Sequence, residues 1–252
     1  MMRPLLISFV FIAYPGLAQP EGRVAPFGQG VAIEFDLGVV EVTGRVPVDA
    51  HAAETPDVWI EVVAESGGIR DHEALVQIDA SARDLHAALL LLGAEEPGEA
   101  GAIRADGSRR SPRGPEIRVV ARYVRDGETI EESPLAWVID PETGDRLIDL
   151  GPTFVFGGSS ERAFEDERLG EQTFYMADVE GVAIGLCTFG TGDDGIETIG
   201  LVPVFSPDTG SGDVLWYADP DRIPEFDTPI TLVLTLADPA APDPAAESVE
   251  PE

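Results

Sequence analysis

Residues 72–93, HEALVQIDASARDLHAALLLLG, decide the fold, because they contain a strand followed at once by a helix. Residues 73–78 form a short, mostly apolar run of the kind that builds strands. Ser81 is a good N-cap, and Asp84 three residues later completes a capping pattern. Residues 85–92 are almost wholly apolar, and Gly93 is placed to end the helix. The stretch predicts one central apolar helix over about 81–92, covered on more than one side.

Short strand-like runs with regular turn signals lie on both sides of this unit, whereas alternating strand–helix units of a Rossmann or TIM fold are absent. The fold class predicted is α+β, predominantly β, with sandwich- or barrel-like antiparallel sheets. Hairpin turns are predicted at residues 125–128 and 140–145. The other predicted strands are residues 31–35, 39–43, 58–64, 117–124, 135–139, 153–156, 173–177, 182–188, 201–205 and 230–236.

The domain organisation is read from composition. Arg3, an apolar run and the small residues at 16–18 predict a signal peptide over 1–18, cleaved near Ala18, so that the mature protein is periplasmic or extracellular. The apolar run of about ten residues falls short of the ~20 that a membrane-spanning helix needs. Residues 19–29 are predicted as a linker, 30–237 as one β-rich domain and 238–252 as a disordered acidic Pro/Ala tail.

Charge and cysteine content limit the function classes. The 252 residues carry a formal net charge of −31, and all 16 basic residues are arginine. So negative a surface repels nucleic acid and anionic membranes and favours a soluble monomer. Cys187 is the single cysteine, which leaves no Fe–S cluster, disulfide or cysteine-based zinc site, and its apolar surroundings predict a buried side chain.

His72, Glu73 and His86 are the candidate site residues. Two imidazoles and a carboxylate can bind Zn²⁺ or a similar divalent metal and activate water. However, a straight strand followed by a helix folding back leaves the two histidine Cα atoms about 15 Å apart, more than the ~12 Å that one metal spans. His72 would also share a strand face with apolar Ala74 and Val76. We therefore interpret both histidines as buried, hydrogen-bonded structural residues, with metal, acid–base and pH-sensing roles left open.

Other motifs favour simple structural interpretations. No Gly-x-Ser-x-Gly elbow is present, and Ser159-Ser160 and residues 210–212 read as loops. The acidic turns at 140–145 and 192–195 lack the full ligand series of a calcium loop. The Pro/Gly-rich segment 94–116 carries the one basic cluster of the sequence, whose role stays open: Arg104, Arg109, Arg110 and Arg113.

Two segments, 71–76 (DHEALV) and 84–93 (DLHAALLLLG), resemble the YdjY-like domain family of bacteria. Further similarities follow in the expected order at residues 137–144, 154–159, 174–178 and 228–234. Two departures stand out, since Ala74 replaces the usual serine and the cysteine that often precedes the His-Glu pair is missing. The resemblance, over roughly residues 30–236, implies an exported or envelope protein of unknown activity.

Three hypotheses on function follow. The first is a non-enzymatic exported binding module with an unidentified envelope partner or ligand and no cofactor. The second is a metal-dependent, hydrolase-like enzyme using His72, Glu73 and His86. The third is a structural component of the envelope.

Overall fold

A computed structural model describes residues 24–52, 58–98, 102–103, 108–110, 112–166, 168–186, 199–202 and 216–237. The predictions on the signal peptide, the acidic tail, Cys187 and residues 192–195 and 210–212 lie outside these residues. Within them, no helix is long and apolar enough to cross a membrane.

The described chain is built mainly from strands. Two α-helices, α1 (Ala82–Leu92) and α2 (Met176–Glu180), and 3₁₀ turns at Asp71–Glu73, Pro134–Trp137 and Leu147–Leu150 interrupt them. The strands are β1 (Val24–Pro26), β2 (Val31–Glu34), β3 (Val39–Arg45), β4 (Val62–Ser66), β5 (Ala74–Ile78), β6 (Ala102–Ile103), β7 (Arg109–Arg110), β8 (Glu116–Arg125), β9 (Glu128–Glu132), β10 (Val138–Ile139), β11 (Thr153–Phe156), β12 (Glu161–Asp166), β13 (Gly170–Tyr175), β14 (Val182–Gly185), β15 (Ile199–Val202), β16 (Tyr217–Ala218) and β17 (Pro229–Leu236).

One large sheet organises the domain. Its strands run in the order β1-β2-β3-β17-β8-β11-β15-β14-β4-β5, with β9 beside β8. The pairings are antiparallel except β4 with β5 and β14 with β15. The path curls, because β5 at its end pairs again with β3 through Gly44↔Ile78 and Arg45↔Gln77. A Cβ at Gly44 would lie 2.3 Å from the carbonyl oxygen of Gln77, so this close approach requires glycine.

The core lies on the inner face of this curled sheet. In β8 and β17 buried and outward residues alternate, as expected for strands with one covered face. Leu232 of β17 sits between Val42 of β3 and Ala121 of β8, and all three are buried. The predicted class, mostly β with antiparallel sheets and few helices, is confirmed.

Helix α1 begins and ends where the sequence predicts. The Ser81 hydroxyl accepts a hydrogen bond from the amide of Asp84 (3.0 Å), and Gly93 ends the helix at φ 107°. The helix is covered on more than one side, as predicted, because it contacts β2, β3, β14 and α2. Leu85 and Leu89 are fully buried, whereas Leu91 on the remaining flank is 55% exposed.

Several predicted elements are corrected. Residues 135–137 belong to a buried 3₁₀ turn that begins at Pro134, since an apolar run does not distinguish a strand from a buried turn. Residues 176–177 open α2 instead of extending a strand. The predicted linker contains β1, and the segment 94–116 contains the short β6–β7 hairpin. The predicted turns at 125–128 and 140–145 are confirmed.

Candidate functional site

Helix α2 joins two polar centres of the domain. At its first turn, Asp178 Oδ1 accepts hydrogen bonds from the amides of Ala82 (2.6 Å) and Arg83 (3.3 Å), so α2 caps the N-terminus of α1. At its end, the carbonyl of Glu180 accepts a bond from Nε of Arg70 (3.0 Å). Five residues therefore position both α1, which carries His86, and the loop that carries His72 and Glu73.

The first centre surrounds His86. Its Nδ1 shares a 2.7 Å hydrogen bond with the hydroxyl of Tyr175, the last residue of β13. The ring lies edge-to-face against Phe156 of β11, with centroids 4.9 Å apart. Gly158 lies beside it with φ 72°, and a Cβ there would lie 3.7 Å from Cε1 of His86. Arg83 lies over the Tyr175 ring, 5.4 Å from its centroid.

The protonation state of His86 follows from these surroundings. Burial lowers the pKa of His86 below its ordinary value, although Glu96 acts in the opposite direction. The imidazole is thus neutral at neutral pH, and it shares one hydrogen bond with the hydroxyl of Tyr175. His86 is hydrogen-bonded, as predicted, but its side chain is only half-buried, and its structural role stays a prediction.

The second centre, here called the Arg70 cluster, consists of Glu61, Arg70, His72, Glu73 and Glu180. Arg70 Nη1 donates to Glu73 Oε1 at 2.5 Å and lies 3.7 Å from Glu61 Oε2. Arg70 Nη2 lies 3.9 Å from the Glu180 carboxylate. The side chains of Glu61 and Glu73 are each only 17% exposed, so one guanidinium serves two largely covered carboxylates.

Glu61 is the residue of this cluster whose pKa is shifted by its surroundings. Burial, followed by the neighbouring charge of Glu73, raises the pKa of Glu61, while Arg70 and His72 lower it by less. The amide of Glu61 donates to the carbonyl of Glu73 at 2.9 Å, which fixes the two residues side by side. The protonated form of Glu61 is therefore more favoured than in a free glutamate.

The structure contradicts the predicted environment of His72. It lies in the 3₁₀ turn before β5, not on the strand, and its side chain is 74% exposed. Its Nε2 is 4.0 Å from Glu73, but His86 lies in the other centre. Among the described residues no three His, Cys, Asp or Glu side chains form a group that could hold a metal, so His72, Glu73 and His86 are not brought together.

The exposed Trp59 lies two residues before Glu61 of the Arg70 cluster and packs against Tyr217. Trp59 forms a β-bridge with Tyr217, and their rings meet edge-to-face with centroids 4.1 Å apart and planes at 84°. Trp59 is 43% exposed, although its neighbours Val58 and Ile60 are buried. This alternation places Trp59 and Glu61 on one outward face, with Cα atoms roughly 7 Å apart. We call this surface, with Tyr217, Arg70, His72 and Glu73, the Trp59 face.

A polar groove of about 580 Å³ lies elsewhere, between β3, β5 and the turn after β4. Its polar side chains bind one another. Gln77 accepts from Arg45 (2.8 Å) and donates to the fully buried Glu65 (2.6 Å), and Arg45 also reaches Asp227 (3.3 Å). These bonds link β3, β4 and β5, and this structural role explains why the polar residues of the groove are present.

The model of the YdjY domain matches residues 33–235, most of the chain. The chain belongs to the YdjY domain family. No curated protein and no solved structure matches it. The segments that suggested the YdjY domain converge in space, since Phe156, Gly158, Tyr175 and Asp178 all surround His86 or its helix.

Two other motif positions of the YdjY domain are core positions in this chain. Ala74, where the family usually has serine, is fully buried among Val62, Met176 and Val182. Trp137 is also fully buried, and its Nε1 donates to Glu132, which accepts from Tyr123 as well. Burial and that carboxylate raise the pKa of Tyr123 to about 12. These residues build the scaffold.

Sequence reasoning did not select Trp59, Glu61, Arg70 or Tyr175. A signal for Trp59 was present, because the alternation in residues 58–62 (VWIEV) puts a tryptophan on the polar face of a strand. Arg70 directly precedes the Asp-His-Glu motif, and Tyr175 lies within a quoted motif. Their partners, however, lie as much as 110 positions away in sequence, as for Arg70 and Glu180, and no local pattern reveals such contacts.

Proposed function

We propose that this YdjY domain protein is an exported, non-enzymatic binding module of the bacterial envelope, and that the Trp59 face is its ligand-binding surface. The observation that carries the proposal is the half-exposed Trp59, held rigidly against Tyr217 beside a polar cluster that includes motif residues His72 and Glu73.

Trp59 is well suited to contact a ligand. A tryptophan offers a large apolar area and few rotatable bonds, so it costs little conformational entropy when a ligand covers it. Its backbone is fixed by bonds on both sides, from Ile60 to the carbonyl of Trp216 (3.0 Å) and from Ala218 to that of Val58 (2.9 Å). The neighbouring Arg70 and Glu73 hold each other in place, which prepares donors and acceptors beside the ring.

The state of His86 also supports binding over catalysis. The imidazole bonds to Tyr175 and packs on Phe156, which orders the domain interior. His72 is solvent-exposed, and among the described residues it shares no metal-binding group with His86, which favours binding over metal-dependent catalysis.

The test is a thermal-shift screen of the mature protein against four ligand classes: neutral sugars, amino acids, dicarboxylates and organic ammonium compounds. We expect at least one class to raise the melting temperature of the wild type and of Phe35→Ala, but not of Trp59→Ala. Phe35 is the matched control, an aromatic of 44% exposure. Shifts that survive in Trp59→Ala for every active class, or no shift at all, would overturn the proposed surface.

Elemental analysis separates the proposal from the metal-dependent alternative. We expect the metal content of purified protein to be unaffected by His86→Ala, and any effect of that substitution to appear in the melting temperature. Stoichiometric zinc that is lost in a folded His86→Ala variant would replace binding by metal chemistry as the preferred function.

A further inference from the structure

The Trp59 face combines an exposed indole with several carboxylates. Trp59 and Tyr217 meet edge-to-face, with ring planes at 84°, so the edge of one ring covers a face of the other. Trp59 is nevertheless 43% exposed, so part of its indole stays open to a ligand. A cation within about 6 Å of such a ring is attracted to it, most strongly for tryptophan.

The charges beside the aromatic pair point to the same kind of ligand. Glu61, Glu73 and Glu180 surround the guanidinium of Arg70, and Asp71 lies 3.6 Å from His72. Among the described residues, the carboxylates of this surface outnumber its guanidinium groups. Burial and Glu73 raise the pKa of Glu61, so positive charge brought near it would relieve an unfavourable interaction.

We infer that the Trp59 face takes a small organic ammonium ion, held against the indole of Trp59 with its charge directed at Glu61 and Glu73. The inference rests on the proposed function, since it names the ligand class of the same surface. A quaternary or tertiary ammonium fits better than a hydrated metal ion. It is weakly hydrated and therefore gains from the aromatic face, whereas the described residues offer no metal-binding group.

Binding of such a cation is coupled to protonation. A cation beside Glu61 favours the ionised carboxylate, so affinity rises as pH increases through the titration of Glu61. The other charged or titratable groups facing it are Arg70, Glu73 and His72. Glu61→Gln removes the titrating group and should flatten part of this dependence.

The experiment uses choline and its uncharged isostere 3,3-dimethylbutan-1-ol, titrated into the mature wild-type protein by calorimetry or tryptophan fluorescence. We expect choline to bind about fivefold or more tightly than the alcohol, the ratio that a cation–π contribution of about 1 kcal/mol gives. Trp59→Ala should lose choline binding, Glu61→Gln should weaken it and lessen its pH dependence, and Phe35→Ala should leave it unchanged.

The outcomes separate this inference from the proposed function. If the alcohol binds as well as choline, or if neutral sugars bind in a Trp59-dependent manner and choline does not, the ammonium class is wrong and the binding surface stands. If choline binds equally to the wild type and Trp59→Ala, the inference fails together with the surface. Circular dichroism shows whether Trp59→Ala and Glu61→Gln are folded. If Trp59→Ala is unfolded, Trp59→Phe replaces it in the same titrations.

Discussion

His86 and Glu61 show how burial sets the charge state of single residues in this domain. Each is partly removed from water, and in each the neutral form is favoured, so the pKa of His86 falls and that of Glu61 rises. The two shifts have opposite consequences for stability as a function of pH. They can therefore be measured separately, by comparing the wild type with one variant for each residue.

The shifted pKa of His86 predicts a loss of stability in mild acid. The unfolded chain binds a proton near 6.5, the ordinary value, but the folded chain does so only at lower pH. The free energy of unfolding should thus fall as pH decreases through 6.5 towards the folded pKa. Urea unfolding at about pH 7.5 and 5.5 should show a smaller decrease in His86→Gln. Equal decreases in both proteins would contradict the burial of this imidazole.

Glu61→Gln should make the protein more stable at neutral pH. The folded-state pKa of Glu61 lies above the ordinary 4.5, so its contribution to stability is complete below 4.5 and is lost as pH rises through the folded value. Glutamine mimics the neutral acid and removes that loss. The gain in the free energy of unfolding should appear at about pH 7.5 and vanish near pH 4. A destabilisation at pH 7.5 would mean that the ion pair with Arg70 outweighs burial.

At the scale of elements, α2 connects parts of the chain that are far apart in sequence. Its start caps α1 through Asp178, and its end receives Arg70. The N-terminus of α1 consequently has two caps, because Ser81 serves the amide of Asp84 while Asp178 serves those of Ala82 and Arg83. Together they satisfy most of the free amides of the first turn.

Asp178→Ala should lower the free energy of unfolding by about 1 kcal/mol, the usual cost of losing a cap. The matched control is Asp149→Ala, which removes an exposed aspartate in the first turn of a 3₁₀ helix where no side-chain cap bond is formed. Urea unfolding followed by circular dichroism measures both. A cost for Asp149→Ala as large as that for Asp178→Ala would show that the Asp178 cap contributes nothing specific.

Elements with one buried face were predictable, and exposed or irregular ones were not. Residues 153–156 match β11, and 230–236 match β17 but for one residue, because their burial follows their apolar pattern. β9 and β12 were missed, and β13 was predicted only at residues 173–175, since these strands are largely polar and solvent-exposed. Their strand conformation depends on pairing with a neighbour, which a local pattern does not encode.

At the scale of the whole molecule, the sequence gives the net charge, while export stays a prediction. The net charge of −31 is carried by a chain whose cations are all arginine, and several of these bridge strands. Arg122 on β8, for example, binds Glu41 on β3 across β17 (2.6 Å) and Glu131 on β9 (2.5 Å). Arginine suits this role, because its planar guanidinium can donate to two carboxylates at once.

We predict that the mature protein begins at Gln19. Small residues at the end of the leader allow a signal peptidase to cleave after Ala18. The intact mass of protein recovered from the periplasm of a bacterial host should lack residues 1–18. Ala18→Phe should retain the leader, whereas Ala13→Leu, within the apolar run, should be processed normally. A wild-type protein that keeps its full mass would contradict export by this route.

The sequence by itself determined the fold class, the start and end of α1, the YdjY family and the strands whose buried faces alternate. These features depend on local conformational preference and on which side of an element is apolar. Both are determined by residues that are close together in the sequence. Only the tertiary structure decided that His86 meets Tyr175, that Arg70 serves Glu61 and Glu73, and that His72 faces solvent. Those contacts form when the sheet curls and α2 draws distant segments together, so the position of every strand contributes to them.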